Sequence, residues 1–356
     1  MTSLGLRRQP HERGACGETG DSVDRLGSGD HFDRLGRLAA YAAAAVMTPY
    51  ALIKVSWVVG AIAGVLPIGD GFGLAGWVAL NTATIGMAGL GIAVALALVR
   101  PWGLRLPVRW VAGVAWVGTG FLVPLLPYAV LDSLLGLPDG APRHRHDGGP
   151  AMPGWEAVLI QTSFVGMGLG LAVALPAHLR RRRPEVFAGR VGDAGRGFAR
   201  PVRWAVGAGA VIGAVWAYWA LGGTAGVAHP AQRGVGERLL TGLWGLWGLT
   251  AAAATWTVGR GRPARLRHWI PLTLGWLGTG SLCAWSGWQL PFVLYVALAH
   301  PAGTALPENL AVAAVLHVAA VAAGAVMLRA LVRARGSVTA AEAAPETVDD
   351  TGSRLS

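Results

Sequence analysis

The feature that most constrains this chain is that its apolar segments are written twice. Trp57-Val58-Val59-Gly60 is followed by Gly64-Val65, and Trp219-Ala220-Leu221-Gly222 by Gly226-Val227, an offset of 162 residues. Further on, Trp116-Val117-Gly118-Thr119-Gly120 recurs as Trp276-Leu277-Gly278-Thr279-Gly280, an offset of 160. Two motif pairs at nearly one spacing, both inside apolar runs, predict a duplicated membrane bundle with a seam between its copies. After Gly-Thr-Gly the copies read Leu126-Pro127-Tyr128 and Leu290-Pro291-Phe292, so the second gains four residues. Four residues are about one helical turn, which keeps the faces nearly in register.

Composition agrees. Of 356 residues, 53% are hydrophobic and only 14% charged, and the mean hydropathy is +0.47, whereas soluble domains carry about a quarter charged residues. The net charge of +11 does not point to nucleic acid, because the basic residues fall in short clusters between apolar runs. Lys54 is the only lysine; the arginine bias, with 53 glycines and abundant alanine, reads as a high-GC, actinobacterial gene. Cys16 and Cys283 alone make neither a disulfide framework nor a structural zinc site.

A spanning helix needs about 20 predominantly apolar residues. Eight such stretches are predicted, at 40–66, 76–99, 108–131, 155–177, 204–227, 238–258, 268–298 and 308–332. With the amino terminus in the cytoplasm, 20 arginines flank the spans inside and four (Arg143, Arg145, Arg233, Arg238) outside. That asymmetry fits eight helices with both termini cytoplasmic. Four helices per copy make the copies parallel repeats rather than inverted ones. The predicted fold is therefore all-α, in a bacterial plasma membrane: a disordered leader at 1–38, a first four-helix repeat at 39–178, a basic linker at 179–203, a second repeat at 204–335 and a disordered tail at 336–356. Pro124, Pro127, Gly287 and Pro291 predict kinks, and the long seventh span is expected to be tilted or broken.

Lys54 is the most unusual side chain. An ionised lysine within a span costs about 2.5 to 3.5 kcal/mol on insertion scales. Tyr50, Lys54 and Trp57 follow at i, i+4 and i+7 and share one helix face. The position aligned with Lys54 in the second copy is Trp216, so the lysine breaks the symmetry. It is read either as a contact for an anionic substrate, lipid headgroup or proton path, or as a lysine snorkelling to the interface. Asp132, at the end of the third span, and Glu156, at the start of the fourth, are its candidate partners. Glu156 and Glu308 also suit plain helix starts. His317 lies in the middle of the eighth span, as a contact or a packing residue. If Lys54, Asn81, Thr82, Gln161, Thr162 and His317 face one cavity, transport is favoured over a scaffold.

His144, His146, Asp147, His229 and His300 fall in outer loops, but no metal-binding spacing accompanies them, and neither metal nor cofactor is expected. Phosphate-binding and dinucleotide fingerprints are missing as well. No acid, base or nucleophile constellation suggests an enzyme. Gly60-x-x-x-Gly64, Gly222-x-x-x-Gly226, Gly86-x-x-Gly89 and Gly245-x-x-Gly248 are expected to let helices approach closely.

Tyr218-Trp219-Ala220-Leu221-Gly222-Gly223 resembles the first-helix ending of small four-helix actinobacterial membrane proteins of unknown function. The first copy keeps less of it, with Ser56 in place of the tyrosine and Ala61 in place of the second glycine. The resemblance implies a fused pair of such units and brings no activity or site residues. Two functions stand beside each other: handling of a small molecule or lipid in a cleft between the copies, with the bilayer as surroundings, and a non-catalytic envelope scaffold that binds a partner.

Overall fold

The computed structural model describes residues 18–68, 73–135, 154–182, 184–187, 189–193, 197–299 and 308–342. Eight long helices carry the described chain: α1 (Glu18–Ile62), α2 (Leu74–Ala97), α3 (Val108–Leu135), α4 (Gly154–Arg182), α5 (Arg200–Ala220), α6 (Val235–Arg260), α7 (Trp269–Ala299) and α8 (Leu310–Glu342). Six of them, all but α5 and α6, are long and apolar enough to cross a membrane. α5 opens on Arg200 and Arg203, and α6 spends many positions on Gly, Thr and Trp where its neighbours carry aliphatics. α6 packs against α3, α5, α7 and α8, so small residues facing protein replace large ones facing lipid.

That exchange holds throughout. Buried positions are small, among them Ala40, Ala43, Ala88, Ala95, Ala174 and Ala177, while Leu52, Val158, Val211 and Val315 stay exposed. Where lipid supplies no hydrophobic drive, close backbone approach and dispersion hold helices together, and small residues permit it. α1 and α4 meet this way: a Cβ on Gly36 would strike Ala177, and one on Gly170 would strike Ala43 and the carbonyl of Ala39. α5 and α6 meet at Gly213 and Gly245, where an added Cβ on Gly245 would lie 2.8 Å from the Gly213 carbonyl oxygen.

Other glycines do something else. Gly86 and Gly89 have open space where a Cβ would stand. Gly64 and Gly226, the aligned ends of the two Gly-x-x-x-Gly patterns, lie beyond α1 and α5 with φ of +70° and +80°. They are turn residues, placed where an L side chain is strained, so these two patterns end helices rather than join them.

Each half is a ring of four. α1 packs on α2 and α4, and α3 touches both; α5 packs on α6 and α8, and α7 touches both. Each half has its own core, around Ala43, Met47 and Met167 in the first and around Trp216, Leu282 and Met327 in the second. The rings are unequal. α3 lies more heavily on α7 than on α2 or α4, and α6 takes some of its surface too. A third small cluster, Tyr128 with Leu240 and Leu243, seals α3 to α6.

The helix bounds refine the expected segments. α1 begins at Glu18, so helix extends well into the segment 1–38 read as a leader, and α8 continues past residue 335 to Glu342. α7 is one continuous helix of 31 residues despite Pro291. The linker is ordered against the loop between α6 and α7: Val191 N–H donates to the Leu266 carbonyl at 2.9 Å and His268 N–H to the Gly189 carbonyl at 3.2 Å. Val191 is fully buried there, and Arg190 pairs with Arg267 in an antiparallel bridge. At the opposite ends of α5 to α8, a second bridge joins Val227 to Glu308.

Candidate functional site

A cavity of about 1360 Å³ lies between the halves, with residues from all eight helices on its walls. It follows α3 from Trp110 to Ala129, which at the helical rise is about 28 Å. Met87, Phe121, Leu122 and Phe164 give it an apolar wall, and polar groups gather toward the C-terminal half of α3. There Tyr50, Lys54 and Gln161 enter from the first half, and Arg233, Glu237, Glu308 and His317 from the second.

Lys54 is 5% exposed. Its ammonium donates to Asn81 Oδ1 at 3.1 Å and stands 4.1 Å from the Trp57 ring centroid and 5.9 Å from that of Tyr50. The face predicted from i, i+4, i+7 spacing is therefore built. A desolvated cation–π contact is worth about 2 kcal/mol, and a hydrogen bond from a charged donor about 1.5 to 3 kcal/mol. Together these are of the order of the insertion cost. Asn81 is itself held, its amide donating to the Trp77 carbonyl at 2.9 Å. Behind the lysine, Trp57 stacks on Trp77 at 5.9 Å, and Tyr50 meets Phe164 edge-on at 5.0 Å.

The other predicted residues divide. His317 faces the cavity with Nδ1 3.2 Å from Ser286 Oγ and its ring beside Trp216. Asp132, one turn beyond Tyr128 on α3, and Glu156, in the first turn of α4, are not on the cavity wall. Of the six polar residues expected to face one cavity, Lys54, Gln161 and His317 line it and Asn81 supports Lys54, but Thr82 and Thr162 are exposed and lie off its wall. His144, His146, Asp147 and His300 lie outside the described residues. His229 precedes a short turn, Pro230–Gln232.

Arg233 was legible only as one more loop arginine, and it is the largest addition the structure makes. It is 6% exposed. Nη2 donates to Thr241 Oγ1 at 2.8 Å, Nε lies 3.5 Å from Glu237 Oε1, and the guanidinium sits 5.7 Å from the Trp219 ring centroid. Trp219 is the repeat counterpart of Trp57. Each copy thus buries a cation over the same tryptophan: Lys54 from within its helix in the first, Arg233 from the following turn in the second. The lysine is replaced by Trp216, but the charge is kept.

The fold and the cavity define the class: a multi-pass, all-helical membrane protein with a largely apolar chamber between its halves and buried cations on the chamber wall. No protein-family model, no curated protein and no solved structure matches the chain. Among the described residues no group of three His, Cys, Asp or Glu side chains is placed to hold a metal ion.

Proposed function

We propose that this protein takes a small amphiphilic molecule or lipid into the chamber between its halves and moves or presents it across the plasma membrane. The observation that carries this is a long, mostly apolar chamber whose wall holds buried Lys54. An intramembrane charge facing a cavity is the usual mark of a substrate path. In this reading α5 and α6 also span: at 21 and 26 residues they are about 32 and 39 Å long against a hydrocarbon core of about 30 Å. The protein is then a fused pair of parallel four-helix units with both termini in the cytoplasm. The Arg190–Arg267 and Val227–Glu308 bridges support it, since each joins segments that the charge asymmetry assigns to one side. No step of covalent chemistry is part of the proposal.

The test is a deletion strain complemented with wild type or Lys54→Gln and compared for exported metabolites and membrane lipids. A profile altered by deletion, restored by wild type and not by Lys54→Gln is expected. Identical profiles in all strains would remove the proposal. They would favour the second reading, a partner-binding scaffold, to which the exposed Thr82 and Thr162 already lend some weight.

A further inference from the structure

Arg233, Tyr128 and the start of α6 converge at one end of the chamber. The N-cap of α6 is Gly234, which offers no side chain to the first turn, so that turn keeps unpaired N–H groups and the positive end of the helix dipole. Gly234 and Gly236 both line the chamber. A Cβ on Gly236 would lie 2.9 Å from Tyr128 Oη, so the hydroxyl sits against the first turn of the helix. Tyr128 Oη and Arg233 Nη1 are buried and have no hydrogen-bond partner among the described residues, while Arg233 Nε is paired with Glu237 Oε1 at 3.5 Å. Three sets of donors face the same space, which is how a helix N-terminus becomes an anion site.

Two carboxylates, Glu237 and Glu308, line the same end. About two turns further along α6 from Glu237, indole faces line the chamber: Trp244 lies 5.1 Å from Trp285 and 6.1 Å from Trp216, centroid to centroid. Carboxylates and tryptophan faces are what a substituted ammonium seeks. Because Glu237 is already paired with Arg233, a ligand with only a negative head would be set against Glu308, and one with only a positive head against the helix N-terminus and the rest of the guanidinium. The apolar stretch from Trp110 to Leu122 is about 18 Å by the rise of α3, which suits an acyl chain, since one leaflet is about half of a hydrocarbon core of about 30 Å. The chamber volume of about 1360 Å³ exceeds the roughly 300 to 1,000 Å³ of pockets for drug-sized ligands.

We infer that the chamber binds a long-chain lipid with a zwitterionic head, its phosphate on Arg233, Tyr128 and the α6 N-terminus and its ammonium toward Glu308 and the tryptophans. This rests on the proposed function and names its ligand class. To test it, the full chain is reconstituted in vesicles of equal parts phosphatidylethanolamine and phosphatidylglycerol, re-extracted in mild detergent, and its retained lipid identified by mass spectrometry. Wild type is expected to retain phosphatidylethanolamine in preference. Arg233→Gln should lower retention about tenfold, the loss of one charged hydrogen-bond donor. Glu308→Gln should shift the preference toward phosphatidylglycerol without lowering the total. Because Arg233 is buried, Tyr128→Phe serves as a milder second variant, expected to lower retention at an unchanged melting temperature. Equal or greater retention of phosphatidylglycerol by wild type would overturn the inference while leaving the chamber a lipid site, as would unchanged retention in Tyr128→Phe together with an unchanged lipid preference in Glu308→Gln. A wild type that retains no lipid of either kind would overturn the inference and count against a lipid cargo. The strain comparison above would then decide the proposed function for other small amphiphiles.

Discussion

The indole N–H of Trp116 donates to the main-chain carbonyl of Trp276, its own counterpart in the second copy, at 3.1 Å. The same N–H lies 3.3 Å from Thr279 Oγ1. One turn along, Gly120 abuts the carbonyl of Gly280, and the Phe121 and Trp285 rings meet at 5.3 Å. Contacts that advance together along both helices mean that α3 and α7 run in the same direction. The seam is the duplicated motif laid against its copy. The exchange is one-sided, since Trp276 Nε1 has no hydrogen-bond partner among the described residues.

Two neighbouring glycines should therefore behave differently. Gly120→Ala forces a methyl into backbone and is expected to cost about 1 to 3 kcal/mol, as overpacking does. Gly118→Ala meets nothing within 4 Å and should leave stability unchanged. Thermal melts of the purified variants in detergent decide it; equal melting temperatures would refute the seam.

Lys54 and Asn81 should be energetically coupled. Asn81→Leu removes the 3.1 Å acceptor of the ammonium, and a buried donor that loses its partner costs about 1 to 3 kcal/mol. In a double-mutant cycle with Lys54→Met the coupling should reach about 0.5 kcal/mol or more. Strict additivity would show that the lysine is held by other contacts.

The linker should come loose when its anchor is changed. Val191 is fully buried beside the Leu266 carbonyl that its own N–H engages, so Val191→Asp places an unpaired carboxylate in an apolar seat. Limited trypsin treatment is expected to cut the variant between Arg190 and Arg203 well before the wild type. If both are cut at one rate, the linker does not hold to the α6–α7 loop in solution.

Sidedness is open to direct measurement. Alkaline phosphatase fused in the turns after α1, α3, α5 and α7 should be active, and after α2, α4, α6 and α8 inactive, as the arginine asymmetry requires. A single reversal anywhere along the series would break the eight-span topology.

Much of this architecture could be read from the residues. Apolar runs marked all eight helices, because a run of that length has few other fates in an all-helical membrane chain. Residue spacing also put Tyr50, Lys54 and Trp57 on one face, since three residues within two turns need only local geometry. What escaped was whatever depends on chain return. Arg233 looks like a solvated loop arginine until the turn before α6 folds it over Trp219. Gly64 and Gly226 look like packing glycines until the helix is seen to stop short of them, while Gly166 and Gly170, which do admit α1, carry no mark distinguishing them from Gly86 and Gly89. Asn81 as the lysine's acceptor was hidden for a similar reason: its identity rests on how α2 is rotated, and rotation is set by packing.

The lopsided position of α3 has a consequence for taking the molecule apart. α3 packs more heavily on α7 than on α2 or α4, whereas α7 keeps extensive contacts with α6 and α8. Cut at the linker, the segment from α5 to α8 would keep its own ring and core, while the segment from α1 to α4 would lose the surface that α3 leans on most. The two halves are built alike in outline and depend on each other unequally.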